Sequence, residues 1–409
     1  MSSYTVPANP LSILFALLLL TTAGGANASV DYIEDMEPYE VRALTGAFAP
    51  TNGNETMEDA TPQDWLDNDP SVQQLRGVVR SWSGGFKAVE GTKLWVHGGG
   101  HRDSANNGIY QYDFAGTDGP VGFELISISD VADVRFRDGP NGEQFPDYLD
   151  GKPLSTHTYD GLVFAHHNNT LYRFGGAPYD EGGGGSETAW KFDLGTGEWT
   201  RLPDLPAVSS PLFFLNLLYD PETRKIALSR GRFTTVFFNC DTDTWGGQDE
   251  SSRSIPFQPD RPSAWDPSRD RGLQIGVGAS FLWNIDFENE TTSLESVALS
   301  GDREIEQADA PSPMFDAGLN TYWVIGGDDE SPGWSSLYEI NASTFAVTRH
   351  PLTGDVIEQT LQQGSYGRFV FLEDDRAIGI VAAHDKPAYI IRLPKVVIPE
   401  PPTNLQITN

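Results

Sequence analysis

The sequence predicts an all-β protein, a β-propeller of four-stranded blades arranged in a ring. The first observation is a repeat: between residues 81 and 394, a strand, a polar turn and a second strand recur six times. The second strand runs into glycines most clearly at 94–100, 171–176 and 322–327. Copies are spaced by roughly fifty residues, which is the length of one propeller blade. Six blades are counted, and a ring of seven stays open.

The strands themselves support this fold class. Within each copy they are fully apolar or alternate between apolar and polar residues, and turns such as Asp220-Pro221 and Gly195-Thr196-Gly197 separate them. We predict that the ring covers residues 79–395, with a loop rich in Asp, Gly and Pro inserted at 130–156 after the first blade.

The N-terminal residues predict export. An apolar run at 11–20 is followed by small residues that end Ala26-Asn27-Ala28, the pattern of a signal-peptide cleavage site. The run is too short for a permanent membrane anchor. We therefore expect residues 1–28 to be a signal peptide and the protein to be secreted by bacterial-type export, into the periplasm or the medium.

Residues 29–78 form a polar, acidic lead that contains one strand-like piece, residues 39–44. The last blade offers only three strands of its own, and a propeller must close without a bare sheet edge. We therefore predict that the 39–44 strand completes the sixth blade. At the other end, residues 396–409 read as a Pro-rich linker that enters a new strand, which resembles the start of a fibronectin-type-III-like module.

The composition of the chain limits the classes of partner that it can bind. The chain has 58 acidic and 27 basic residues and a formal net charge of −31. Such a charge repels nucleic acid and anionic lipid and keeps a protein soluble, so we expect neither partner, no membrane span, and a monomer. The single Cys240 excludes an intramolecular disulfide framework, and its apolar neighbours predict a buried thiol.

Two motifs carry a resemblance to a known group. The turn Gly98-Gly99-Gly100-His101-Arg102-Asp103 with Asn107, and the strand 155–162 that reads STHTYDGL, resemble a group of exported bacterial kelch-like propellers. The blade pattern over 79–394 is similar to kelch repeats and to the central domain of galactose oxidase. Ser104 stands where that group usually has an aromatic residue, so no stacking role is transferred to this position.

Two enzyme classes share the fold. Galactose oxidase holds copper with two Tyr, two His and a Cys cross-linked to one Tyr, and Cys240 lies in no matching motif, so oxidase chemistry is not transferred. A weaker similarity, in fold and residue types only, is to propeller lyases that act on ulvan, a sulfated uronic-acid polymer, and that use His, Tyr and Arg. This similarity implies that the chain is a carbohydrate-active enzyme.

One face of the predicted ring gathers the candidate site residues. The turns between second and third strands and the beginnings of the first strands open on that face, around the central funnel. We expect four of these residues to be catalytic, namely His101, His157, Tyr159 and Arg230. We expect the others to bind substrate, namely Arg80, Arg102, Asp103, Tyr179, Asn216, Arg232, Gln363 and His384.

These residue types fit the cleavage of an acidic polysaccharide by β-elimination. A cation, Arg230 or Arg232, would neutralise the uronate carboxylate so that the C5 proton becomes acidic. His157 or His101 would take that proton, because imidazole titrates near neutral pH. Tyr159 or Tyr179 would protonate the leaving oxygen. The structural alternative is that His101 and Asp103 cap a tight turn and that His157 bridges blades one and two. Tyr159, in register with Trp82 and Tyr366, would then pack in the core.

Two other functions stay open. One is a non-catalytic propeller that binds a glycan or a protein. The other is a metal-dependent oxidase or hydrolase, with His101, His157 and Asp103 as zinc ligands, although no short-spaced metal motif supports it. No cofactor is predicted, and a structural or catalytic divalent metal stays an option.

Overall fold

The computed structural model describes residues 31–68, 74–80, 82–86, 91–100, 103–116, 119–130, 147–179, 185–206, 215–230, 234–249, 261–326, 332–358 and 364–396. Residues 31, 68, 74, 80, 215, 230, 332 and 333 are described by backbone alone. Over these ranges the protein is a ring of six small antiparallel sheets, a six-bladed β-propeller. The predicted fold class is confirmed.

Three short helices and one strand form the lead, together with a 3₁₀ turn at Gly46–Phe48. They are α1 (Asp31–Glu34), β1 (Glu40–Ala43), α2 (Gln63–Asn68) and α3 (Gln74–Arg80). Apolar side chains of the lead, among them Ile33, Leu44 and Met57, are buried against the first and last blades. Among the described residues, no helix has the length and apolar character that crossing a bilayer requires.

The first two blades follow the lead. Blade one contains β2 (Gly84–Gly85), β3 (Lys93–His97), β4 (Ile109–Asp113) and β5 (Gly122–Ser127). The next strands are β6 (Thr156–His157), β7 (Leu162–Ala165), β8 (Thr170–Phe174), β9 (Ala177–Pro178), β10 (Ala189–Asp193) and β11 (Glu198–Arg201). Blade two is built from β7, β8, β10 and β11, while β6 and β9 form a separate two-stranded ribbon. A 3₁₀ turn at His166–Asn168 joins β7 to β8.

Blades three and four are regular four-stranded sheets. Blade three contains β12 (Leu215–Asp220), β13 (Lys225–Arg230), β14 (Thr234–Asn239) and β15 (Thr244–Asp249). Blade four contains β16 (Ser263–Asp266), β17 (Arg271–Gly276), β18 (Ala279–Asp286) and β19 (Thr291–Ser296). Cys240 follows β14, is 4% exposed, and has its pKa raised to about 12 by burial, so this thiol is the buried one that its neighbours predicted.

The last two blades each add a short parallel strand at the outer edge. Blade five contains β20 (Ser300–Gly301), β21 (Ser312–Asp316), β22 (Thr321–Ile325), β23 (Ser336–Asn341) and β24 (Ala346–Pro351), with 3₁₀ turns at Arg303–Gln307 and Pro332–Ser335. Blade six contains β25 (Thr353–Gly354), β26 (Phe369–Leu372), β27 (Ala377–Ile380) and β28 (Tyr389–Arg392). Its fourth strand is β1, which pairs antiparallel with β28. The predicted closure of the ring by the N-terminal strand is therefore confirmed.

A repeated aspartate shapes the turn after the first strand. Asp220, Asp266 and Asp316 end β12, β16 and β21, and each carboxylate accepts a backbone N–H two or three residues later. Asp266 and Asp316 are fully buried and also bind arginine side chains. This explains why the sequence repeats an acidic residue where a strand meets a turn, since the side chain replaces missing backbone hydrogen bonds.

The first strands of the blades surround a central channel. A cavity of about 190 Å³ is lined by apolar side chains from the first strands of blades two to six. They include Val163, Leu217, Ala264, Met314 and Phe369. The lining of this cavity is apolar over the described residues and includes turns that follow the first strands, so the cavity lies at the end of the ring opposite to the predicted site face.

Candidate functional site

Hydroxyl side chains that flank β6 hold the ribbon of β6 and β9 against the backbone of blade one. Ser155 Oγ accepts a hydrogen bond from the Gly100 N–H at 2.6 Å, and Thr158 Oγ1 donates to the His97 carbonyl at 3.1 Å. Gly100 has a φ of +79°, and a Cβ on it would lie 2.2 Å from the His157 nitrogen. The glycines of the turn at 98–100 thus let two backbones meet, which fixes His157 against blade one.

The ribbon brings two predicted site residues into a pair. Nε2 of His157 lies 2.8 Å from Oδ2 of Asp103. A carboxylate only accepts hydrogen bonds, so His157 donates its Nε2–H to it. The His157 side chain is 1% exposed and that of Asp103 is 47% exposed. The Asp103 carboxylate is therefore the member of the pair that is exposed to solvent, and the hydrogen bond from the buried His157 imidazole fixes its position.

Two aromatic rings complete this site. The Trp82 ring, which is partly exposed, lies 5.2 Å from the His157 ring, and the Tyr159 ring lies 6.2 Å from it in an edge-on arrangement. The Tyr159 N–H donates to the Trp82 carbonyl at 2.7 Å, which ties blade one to blade two at this point. We call Trp82, Asp103, His157 and Tyr159 the dyad site.

Beside the dyad site, aromatic side chains that precede the first strands of blades one, two and six pack together. Tyr159, Ala177, Ala310 and Tyr366 form one buried cluster with Trp82, which we call the axial plug. The Tyr159 and Tyr366 rings meet edge to face at 6.0 Å. Core packing of Tyr159, one of the two predictions for this residue, matches this contact.

The axial plug carries backbone strain. Trp82, Tyr159, Ala310 and Tyr366 have φ values of +43°, +47°, +46° and +40°. Left-handed backbone in bulky residues costs free energy and persists only where surrounding contacts enforce it. Here hydrogen bonds between neighbouring blades enforce it, including the one from the Gly85 N–H to the Tyr366 carbonyl at 3.1 Å.

A buried arginine lies next to the axial plug. Arg368 is 1% exposed and donates from Nη1 to the Ser83 carbonyl at 2.5 Å and from Nη2 to the Gly364 carbonyl at 3.0 Å. Burial lowers its pKa to about 9. Arg368 thus links blade six to blade one, and its guanidinium is sealed away from any ligand at the surface.

The other described site residues lie in separate surroundings. Tyr179 donates its N–H to the Ser155 carbonyl and packs on a cluster around Tyr148. Asn216 is 1% exposed, and its Nδ2 donates to the Arg261 carbonyl at 2.8 Å, a link from blade three to blade four.

His384 belongs to the contact between blade six and the lead. Its carbonyl accepts the Met57 N–H at 3.0 Å, and its Nε2 lies 3.5 Å from the Glu58 carboxylate. Burial lowers the pKa of its imidazole, and the Asp385 carboxylate partly offsets this shift. These contacts give His384 a role in holding the lead on the ring.

The remaining site predictions lie partly or wholly outside the described residues. His101, Arg102, Arg232 and Gln363 are outside them. Arg80 ends α3 and Arg230 ends β13, and both are described by backbone alone. Within the described ranges no three His, Cys, Asp or Glu residues are grouped as metal ligands, and the suggested zinc set includes His101.

Sequence reasoning missed two residues near this end of the ring. Trp82 was recognised only through its register with Tyr159, and its contact with His157 joins residues of different blades. Arg173 was overlooked, although the repeat contains a signal for it. In the aligned second strands, Val96 and Val324 occupy the position that Arg173 takes in blade two. A charged residue inside an apolar strand is unusual and points to a special environment.

Comparison with known proteins adds little to this description. No family model matches the chain, and no curated protein matches it either. Among solved structures it is similar to YjhT, with 11% sequence identity, a TM-score of 0.45, and coverage of 76% of this chain and 93% of that chain. The assignment as a β-propeller rests on the ring of sheets described above.

Proposed function

We propose that this chain is a carbohydrate-active propeller that binds a glycan at the dyad site. The observation that carries the proposal is the solvent-exposed Asp103 carboxylate, which the buried His157 holds at 2.8 Å. An ionised carboxylate accepts strong hydrogen bonds from hydroxyl groups, and a fixed carboxylate loses little conformational freedom when it does so.

Trp82 supplies the second element of a sugar site. Its partly exposed ring offers an apolar surface beside the carboxylate, and aromatic side chains give large contact areas at low conformational cost. A pyranose ring has an apolar C–H face and an edge of hydroxyl groups. Trp82 and Asp103 together match those two surfaces, and the packing of Trp82 in the axial plug and the hydrogen bond from His157 to Asp103 hold them in place.

An acidic polysaccharide is the glycan class that the sequence suggests, and salt controls whether it can bind. The formal net charge of −31 repels a polyanion. This repulsion is screened beyond about 8 Å at physiological ionic strength. We therefore propose that an acidic polymer binds in salt and is repelled at low ionic strength, whereas a neutral glycan binds at both.

A lyase is the second candidate, and the hydrogen-bonded carboxylate–imidazole pair favours it. In β-elimination a base removes the C5 proton, the bond from C4 to the glycosidic oxygen breaks, and an acid protonates that oxygen. Asp103 is the exposed member of the pair, so it would take the proton while His157 holds it in place. Tyr159, Tyr179, His101 and Arg230 remain the candidates for the other roles.

The test is a panel of neutral and uronic-acid polysaccharides, each examined in salt for retardation of the protein in an affinity gel and for ultraviolet absorbance of unsaturated uronate. We expect Asp103→Asn to weaken retardation by at least about tenfold, the effect of losing one charged hydrogen bond. Asp64→Asn, which removes the same charge from the exposed surface of α2, is the control and should bind as the wild type does.

The outcomes separate the two functions. Retardation without new ultraviolet absorbance supports a non-catalytic glycan-binding protein. New ultraviolet absorbance that His157→Asn and Asp103→Asn both abolish supports a lyase. If no polysaccharide is retarded and none is cleaved, or if Asp64→Asn changes binding as much as Asp103→Asn does, the dyad site is not a glycan site.

A further inference from the structure

Blade two carries a row of side chains whose hydrogen-bond donors lack acceptors. Arg173, Trp190 and Arg201 are direct partners across β8, β10 and β11, so they lie side by side on one face of the sheet. We call these three residues the donor row. Trp199 lies two residues before Arg201 on the same face, and its ring is 6.4 Å from that of Trp190.

Four N–H groups of this cluster have no partner in the described part of the structure. They are Nε of Arg173, Nε1 of Trp190, Nε1 of Trp199 and Nε of Arg201, and all four atoms are buried. Guanidinium and indole nitrogens can only donate hydrogen bonds. A buried donor without an acceptor destabilises the folded state, so four in one place are unusual.

Arg173 adds a buried charge that no carboxylate of the described residues neutralises. Its side chain is 1% exposed, and its Nη1 donates to the Leu154 carbonyl at 2.7 Å and contacts Nε2 of His97 at 3.4 Å. His97 donates from Nδ1 to the Gly108 carbonyl at 3.1 Å, which leaves Nε2 as a neutral acceptor. Buried charges in proteins are normally paired, and this chain has 58 acidic residues.

The donor row runs from the interior of the protein toward solvent. Exposure rises along the donor row from Arg173 (1%) through Trp190 (3%) to the Arg201 side chain (31%). The Arg201 guanidinium lies 5.3 Å from the centre of the Trp190 ring. Its Nη2 pairs with the exposed Asp204 carboxylate, while its Nε is buried and has no partner in the described part of the structure. The outer end of the row is therefore reachable from solvent.

We propose that the donor row and Trp199 bind an oxyanion, a carboxylate or a sulfate group, in the seam between blades one and two. The anion would accept from the four free donors and neutralise Arg173, while His97 closes the seam on the blade-one side. A trapped water molecule offers two acceptor positions and no charge, so it would leave both the charge and part of the donor set unsatisfied. This site is separate from the dyad site and does not depend on the function proposed for it.

The test follows the indole N–H signals of Trp190 and Trp199 in a ¹H–¹⁵N spectrum of the protein. Sodium sulfate or sodium glucuronate is added at constant ionic strength maintained with sodium chloride, and Trp190→Phe and Trp199→Phe identify the signals. We expect both signals to shift saturably with at least one of the two anions. Sulfate binding indicates a free oxyanion site, and binding of glucuronate alone indicates a carboxylate presented on a sugar.

A pair of variants controls for charge. Arg201→Gln should weaken anion binding by at least about tenfold, because it removes one charged donor. Arg349→Gln is the matched control: it removes the same charge from β24, the corresponding outer strand of blade five, where Arg349 already bonds Ser336 and Glu304. It should keep wild-type anion binding, and circular dichroism checks that both variants are folded.

Three results would overturn the proposal. The first is that neither anion shifts the indole signals, which would mean that water alone occupies the seam between blades one and two. Neutral glucose shifts them as much as glucuronate does, which would exclude recognition of the charge. Arg349→Gln loses anion binding as fully as Arg201→Gln, which would mean that the anions act only through the overall charge.

Discussion

Gly100 and Gly53 have nearly the same backbone conformation in different surroundings. Their φ values are +79° and +82°, but a Cβ on Gly100 would lie 2.2 Å from the His157 nitrogen, whereas one on Gly53 would have no atom within 4 Å. We predict that Gly53→Ala lowers the free energy of unfolding by about 1–2 kcal/mol, the cost of left-handed backbone alone. Gly100→Ala should cost several kcal/mol, because backbone atoms must also move.

Denaturant unfolding of both variants measures this difference. Gly100→Ala should in addition weaken any glycan binding at Asp103, since the same turn positions His157. Equal losses of stability in the two variants would show that the close approach of the turn to the ribbon does not stabilise the fold.

We predict that the stability of the fold depends on pH through His97. Burial, and then the neighbouring Arg173, lower the pKa of His97 from 6.5 to about 3. The folded state therefore keeps His97 neutral while the unfolded chain takes up a proton below pH 6.5. Stability is fully present above that pH and falls as the pH drops toward 3, by at most about 1.4 kcal/mol per pH unit from this one group.

The His97→Gln variant tests this contribution. We expect its free energy of unfolding to fall less steeply than that of the wild type between pH 6.5 and 4.5. Leu171→Ala, which removes a fully buried side chain from the same seam, is the control for lost stability, and it should keep the wild-type slope. A variant slope equal to that of the wild type would mean that His97 is protonated in the folded state.

The closing strand shows what the sequence could and could not predict at the level of elements. A strand at 39–44 and its place in the sixth blade followed from counting strands, because a ring needs every edge paired. The ribbon of β6 and β9 was not predicted as an element. Each of its strands has two residues, which is too short for any periodicity, and its pairing depends on contacts with the turn at 98–100.

The closing strand makes a testable contribution to stability. Val41 pairs with Ile391 of β28 and with Gly354 of β25. We predict that Val41→Pro lowers the melting temperature strongly and promotes aggregation, because it disrupts β1 and exposes the edge of β28. Val356→Pro, at a position that is 79% exposed, is the control and should melt as the wild type does. Equal melting of the two variants would mean that β1 is dispensable for closure.

On the scale of the whole molecule, repulsion among the negative charges opposes the folding of the chain into a closed ring. A formal charge of −31 repels itself within a compact ring, and salt screens that repulsion. We predict that the melting temperature rises by several degrees when sodium chloride is raised from low to physiological concentration. Choline chloride should give the same rise, because screening does not depend on the cation. A rise with sodium alone would instead indicate a specific cation site.

The sequence by itself determined the propeller, the closing strand and the acidic character of the surface, and it gave a count of six blades that left seven open until the structure showed six. These properties follow from repeat period, strand alternation and composition, which are local or additive. Only the tertiary structure decided that His157 pairs with Asp103, that the Tyr159 and Tyr366 rings pack against each other, and that Arg173 lies buried with no carboxylate partner among the described residues. Each of these depends on contacts between blades, and no local pattern of residues specifies which side chains meet across a seam between two sheets.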